Sequence, residues 1–279
     1  MSRIEKAMEK AAQLRQGSPV LPDNRKFVSN ANVVHTPPRA SDVSVKVTSE
    51  SPFLVTLNDP HSHIAEEYRK LKSILVKMTS GENICRNLIM VTSAVPNEGK
   101  TITALNLAIS MAQEFDHTVL LVDADLRRPS INRYLNIAQK PGLADCLQGG
   151  ATLAETIIHT GIGKLSVIPA GNEVANPAEL FSSNMMKDLV EEMKYRYPDR
   201  IIIFDTPPIL PFAETRSLAH LVDGVLFVVK ERLASQANIR EAVEALKDCQ
   251  LLGMVYNDST SEQHSQSYYY HSGYANKAA

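Results

Sequence analysis

Residues 88–104 read LIMVTSAVPNEGKTITA, and the order of features in this stretch decides the fold. LIMVTS is apolar on both faces, as a strand buried on both sides requires. AVPNEGKT satisfies the pattern G/A-x-x-x-x-G-K-S/T, with Ala94 at its first position, and ITALNLAISMA continues as a good helix former. A strand, a glycine-containing loop and a helix in that order build a phosphate cradle. Backbone amides near Asn97, Glu98, Gly99 and Lys100 turn inward, and the positive end of the helix beginning at Thr101 and Ile102 adds its dipole. Gly99 lets the backbone approach without a Cβ. Lys100 reaches the outer phosphates as a point charge, and the Thr101 hydroxyl suits magnesium, which takes oxygen ligands. The expected ligand is ATP with Mg2+.

Outward from this stretch the chain alternates apolar strand-length runs with helical ones. The runs are Asn87 to Thr92, Val119 to Asp123, Leu165 to Pro169, Ile201 to Asp205, Gly224 to Val229 and Leu252 to Asn257. Helical patterns fill Thr101 to Gln113, Asn176 to Tyr195 and Gln236 to Asp248. The pattern predicts an α/β fold of the P-loop NTPase kind, a mostly parallel sheet flanked by helices, with ligands at the carboxyl ends of the strands. Two runs end in carboxylates: VLLVDADLRRP places Asp123 and Asp125 where a strand stops, and IIIFDTPP does the same for Asp205. A single strand-end Asp is more often a turn or helix cap, but three beside one phosphate loop point to a magnesium site. Arg127 and Arg128 either bridge phosphate, stabilise the aspartate pair or face solvent.

Before the first strand, HIAEEYRKLKSILVKM carries an apolar stripe of Ile64, Tyr68, Leu71, Ile74 and Leu75. Glu66, Arg69 and Lys72 repeat every three residues on what is expected to be one flank, a solvated face or a contact surface. The division expected is a short amphipathic helix over residues 1–16, with Ile4, Met8, Ala11 and Ala12 at helical spacing, an extended arm or linker over 17–60, a nucleotide-binding domain over 61–260 and a tail over 261–279. The tail contains SQSYYYHSGY, so Tyr268, Tyr269, Tyr270 and Tyr274, four of the nine tyrosines, crowd into a polar segment without core-forming period.

The bulk numbers bound the reading. The chain has 279 residues, 44% hydrophobic and 22% charged, a balance that buries a sizeable core. A net charge of -2 provides no long-range field for nucleic acid. Cys85, Cys146 and Cys249 lack metal-ligand spacing and, being an odd number, fit a reducing compartment better than a disulfide framework. The N-terminus lacks the apolar core of a signal peptide, and no run approaches the ~20 residues of a membrane helix. A cytoplasmic chain is expected, recruited to the inner face of the membrane by a partner.

SAVPNEGKT, LLVDADLRRP and IIIFDTPP together resemble the Walker A, Walker A′ and Walker B set of the bacterial tyrosine kinases, and the resemblance runs from about Ile64 to the C-terminus. DLRRPSINRYL, GLADCLQGG and PAGNEVANPAELFSS resemble the family's intervening segments in order. The resemblance implies an ATP-dependent tyrosine autokinase of the free-standing form, similar to those of exosortase-associated and exopolysaccharide loci. It implies Asp123 as proton acceptor and Asp125 and Asp205 as organisers of magnesium, the first two roles being exchangeable, Asn257 as the residue that reads adenine or else a strand-end turn, and the tail tyrosines as autophosphorylation sites. It also implies transfer in trans within a homo-oligomer, a ring in the family, whose E-x-x-R-x-x-R helix is matched by Glu66, Arg69 and Lys72 except at the last position. The partners it implies are a membrane chain-length determinant or polysaccharide co-polymerase as activator and a protein-tyrosine phosphatase.

Two rivals stand against this: a MinD- or ParA-like ATPase switch without kinase activity, and a non-catalytic nucleotide-binding scaffold. The partitioning ATPases carry an extra lysine where this chain has Val95, and a scaffold is expected to have lost part of the set Lys100, Thr101, Asp123, Asp125 and Asp205. After DTPP the family often has an Asp, whereas here Glu214 and Thr215 stand in the segment ILPFAETRSLAH.

Overall fold

The structure, a computed structural model, describes residues 51–79, 86–114, 118–196 and 199–260. The expected helix over 1–16, most of the arm over 17–60 and the tyrosine-rich tail lie outside these residues. The described part is built on a seven-stranded sheet of β1 (Leu88–Ser93), β2 (Thr118–Asp123), β3 (Ile158–His159), β4 (Leu165–Ile168), β5 (Arg200–Asp205), β6 (Gly224–Lys230) and β7 (Leu251–Asn257). Their spatial order is β3-β4-β2-β5-β1-β6-β7, and every pairing is parallel except β3 with β4.

All six residues of β1 are buried, because the strand is apolar in both its alternating sets. Leu88 and Met90 join Leu120, Val122, Ile202, Phe204, Val225 and Phe227 in the core on one face. Ile89 and Val91 join Val119, Leu121, Ile201, Ile203, Leu226 and Val228 on the other. Chain order and spatial order together create the site. The chain leaves β1 for β2 and β4, returns to β5 between β2 and β1, and then crosses to β6 on the far side of β1. The crevice at the carboxyl ends of β1 and β5 is therefore a topological switch point, where loops part in opposite directions and leave room for a ligand.

The strands match expectation to within a residue or two. The helix expected over Asn176 to Tyr195 is instead two, Pro177–Ser182 and Asn184–Arg196, because Ser183 is extended and its hydroxyl accepts the amide of Met186 at 3.2 Å to start the second.

The amino-terminal boundary needs correction. The expected arm was to run through residue 60, yet α1 (Val55–Asn58) already packs on the domain, with Leu54 fully buried. The cause lies in α3 (Lys100–Ala112), which is apolar almost all round and buries its sheet-distal side under α1 and α2 (His63–Thr79). Its single carboxamide, Asn106, is fully buried and uses both ends: Oδ1 accepts the amide and hydroxyl of Thr56, each at 3.0 Å, and Nδ2 donates to the carbonyls of Phe53 at 2.8 Å and Ile102 at 2.9 Å. A second correction concerns the α2 flank. Lys72 is buried and pairs with Glu114 at 2.5 Å, whereas Glu66 and Arg69 are half-exposed and bound to one another. Steps of three on a helix drift by about 60° each, so two steps turn Lys72 from the flank toward α3.

Asn106→Ala leaves the Thr56 amide and the Phe53 carbonyl without their partner in the interior. It is expected to lower stability by about 1–3 kcal/mol in urea denaturation.

Candidate active site

The loop after β1 holds two left-handed residues, Asn97 at φ 67° and Gly99 at φ 91°, and Gly99 is the N-cap of α3. A Cβ at Gly99 would lie 2.1 Å from Nδ2 of Asn257, so position 99 excludes any side chain on two counts, conformation and space. Asn257, at the end of β7, donates that Nδ2 to the carbonyl of Glu98 at 2.9 Å. Glu98 is fully buried. Its carboxylate accepts the amide of Val95 at 2.8 Å and that of Lys230, at the end of β6, at 3.3 Å. Sequence reasoning assigned Glu98 only its backbone, but its side chain braces the loop from within. No periodic signal marks such a role, because it depends on what the loop folds over. Asn106 did leave a signal, being the one carboxamide in a helix of apolar and small residues.

Lys100 is buried at the start of α3, its Nζ 3.8 Å from Oδ2 of Asp125. Thr101 and Ile102 follow in the first turn, both half-buried. Asp123 and Asp205 face each other across neighbouring strands in register, and Val91 of β1 stands opposite Asp205 on its other side. The sheet therefore brings the three carboxylates and the lysine into one place, as the spacing implied. Asp123 is fixed by backbone: Oδ2 accepts the amides of Ser130 and Ile131, each at 3.1 Å, and Oδ1 that of Asp125 at 3.3 Å. Asp125 in turn accepts the amide of Arg128 at 3.0 Å. Asp205 differs from both. It is fully buried, and neither carboxylate oxygen meets a partner at full hydrogen-bond geometry, although the Lys100 ammonium and the Thr101 hydroxyl lie near enough to favour its charged form. A buried carboxylate in this state is completed by an ordered water, by a proton or by a bound cation. A hard divalent cation at Asp205, beside the Thr101 hydroxyl, fits this donor set of oxygens.

Burial is the chief cause that pushes Asp123 up, to about 8, with repulsion from Asp205 and Asp125 adding to it and the amides of Ile131 and Ser130 opposing. Burial likewise pushes Asp205 up, to about 7, against the pull of Lys100 and Thr101. A carboxyl raised in the folded state retains a proton that the unfolded chain, at about 3.9, has lost. Its stabilising contribution is complete below that value and disappears as pH rises through the folded value. Metal-free protein is therefore expected to lose stability from about pH 4 to about pH 8, and thermal denaturation in a chelator checks this. Asp205→Asn should flatten the decline and melt above the parent at pH 8.

Three comparisons place this geometry among known proteins. The family model described as AAA domain matches residues 88–253. Tyrosine-protein kinase YwqD of Bacillus subtilis is 34% identical over 219 residues, which is 78% of this chain and 90% of that protein. Tyrosine-protein kinase etk of Escherichia coli is 32% identical over 222 residues, 77% of this chain but 30% of that much longer protein. The solved kinase domain of Escherichia coli ETK superposes with a TM-score of 0.69 at 28% identity, covering 77% of this chain and 84% of that one. The septum site-determining protein MinD of Pyrococcus horikoshii, bound to Mg-ADP, shares the fold at 22% identity with a TM-score of 0.52. With the phosphate loop, the paired strand-end aspartates and this extent of likeness, the chain belongs to the bacterial tyrosine-protein kinases.

Proposed function

We propose that this kinase transfers the γ-phosphoryl group of ATP to tyrosines of its own C-terminal cluster, Tyr268, Tyr269, Tyr270 and Tyr274, which lie outside the described residues. The observation that carries the reading is the buried Asp205 beside Lys100 and Thr101 at the switch point, in a chain of the tyrosine-kinase family. The phenol oxygen attacks the γ-phosphorus, the bond from phosphorus to the bridging oxygen breaks, ADP departs and the phenol proton passes to a carboxylate. Asp123 suits the role of acceptor, since three backbone amides fix its direction and burial, with the neighbouring carboxylates, makes it more basic than an ordinary carboxylate. Lys100 neutralises outer-phosphate charge once it leaves Asp125. Thr101, Asp125 and Asp205 hold magnesium, which when bound supplies compensation for charge on the phosphates. Asn257, tied to the loop through Glu98, contributes to reading the adenine base.

Transfer in trans between copies is the arrangement we favour, with Glu66 and Arg69 presented on the half-exposed flank of α2. Lys72 is held by Glu114, so its place in such an interface differs from that of an exposed arginine. Each phosphotyrosine adds roughly -1.5 to -2 charges, and several loosen the assembly by mutual repulsion. The activator is a membrane polysaccharide co-polymerase or chain-length determinant, a phosphatase resets the cycle, and the process regulated is exopolysaccharide synthesis or export. Among the relatives, the names EpsB and CapB accompany tyrosine kinases. Among the described residues no helix is long and apolar enough to cross a membrane, consistent with recruitment by such a partner.

The test is mass spectrometry of the C-terminal peptide after phosphatase-treated protein has been incubated with ATP and magnesium, with and without an activator fragment. Phosphotyrosine at residues 268–274 is expected and should disappear in Lys100→Met. Nucleotide hydrolysis without phosphotyrosine, even with activator, would favour the ATPase switch.

A further inference from the structure

Glu214 and Thr215, the residues that depart from the family pattern after DTPP, occupy a defined place. Glu214 is 1% exposed, and its carboxylate is paired with Arg127, whose Nη2 lies 3.5 Å from Oε2 while Nε binds Oε1 more closely. The same guanidinium lies over the ring of Phe212, 4.6 Å from its centroid. Arg127 stands two residues beyond Asp125 in the segment leaving β2. Thr215 points the other way along the chain: its hydroxyl donates to the carbonyl of Pro207 at 3.2 Å, the carbonyl that Thr92 of β1 also reaches at 2.9 Å. Two adjacent residues of one short helix thus hold both acidic loops, the one carrying Asp125 and the turn that follows Asp205.

An outward movement of the loop carrying Asp125 would draw Arg127, two residues further on, away from Glu214. Burial of the Glu214 charge opposes such a movement, because pulling Arg127 away leaves a carboxylate unpaired in the interior. The Arg127 cation is bound chiefly by Glu214 and also feels the nearby Asp125 carboxylate, so the pair ties the two acidic groups to one guanidinium. We propose that Arg127 and Glu214 form a latch that sets the position of Asp125 relative to Asp205 for phosphoryl transfer. Both are positioning residues, and neither touches the reacting atoms. The proposal rests on the assignment of these aspartates to magnesium and proton transfer given above.

The experiment uses the full chain and the variant R127Q/E214Q, which removes both charges together and so leaves none buried alone. Melting temperature, ADP affinity, single-turnover autophosphorylation and amide exchange over residues 124–128 are measured side by side, with R127K as the conservative variant. The phosphorylation rate is expected to fall about 10- to 100-fold while ADP affinity stays within about threefold. Exchange over 124–128 should rise without change in α3. R127K, which keeps charge but loses the planar fork, should fall between parent and double variant. Parental rate and exchange in R127Q/E214Q would overturn the latch, as would a loss confined to melting temperature with exchange raised throughout. If the parent itself does not phosphorylate, that failure belongs to the kinase reading, and exchange over 124–128 alone decides the latch.

Discussion

Two carboxylates held against each other in a dry interior impose the constraint on which this site depends. Asp123 and Asp205 end adjacent strands in register, and both are almost completely buried. Burying an ionised group costs several kcal/mol where nothing compensates it; backbone amides offset part of that cost at Asp123 but not at Asp205, where an apolar residue would serve the fold better. The presence of both carboxylates makes sense if the fold is completed by a cation. The surrounding architecture then follows. β5 must lie between β2 and β1 to bring Asp205 beside both Asp123 and the phosphate loop, and the crossing of the chain at that point opens the space that a nucleotide needs.

Rigidity is supplied from several directions at once. Glu98 ties the phosphate loop to the end of β6, Asn257 covers Gly99 from β7, and Asn106 fastens the segment preceding α2 to the helix that the loop begins. None of these contacts is itself chemical. Each holds a backbone that has to present amides and a lysine in one geometry, and preorganisation of this kind is the main contribution a protein makes to phosphoryl transfer.

The sheet and the gathering of the strand-end carboxylates beside the phosphate loop were legible in the sequence because both depend on local pattern. Runs apolar on both faces mark parallel strands, and a strand that ends in Asp next to the phosphate-loop strand brings that carboxylate to the loop. What was not legible depends on partners distant in the chain. Lys72 read as a flank residue because spacing by threes looks continuous on paper, yet the helix turns it toward Glu114, 42 positions further on. The Leu54 to Asn58 segment read as part of an extended arm because its apolar content is too short to show a period, and its place is set by partners distant in the chain, the Asn106 side chain and the core that buries Leu54. The two-residue β3 and the break at Ser183 are set by packing at the sheet edge and by a single cap, neither of which alters hydrophobic periodicity.

The central claim is that Asp205 and its neighbours form a divalent-cation site completed by nucleotide. The most direct measurement is anomalous X-ray scattering from crystals grown with ADP and Mn2+ in place of Mg2+. The account predicts one strong anomalous peak beside the ADP β-phosphate, among the Thr101 hydroxyl and the Asp125 and Asp205 carboxylates. Bound nucleotide with no peak there, or a peak held by other residues, would contradict it.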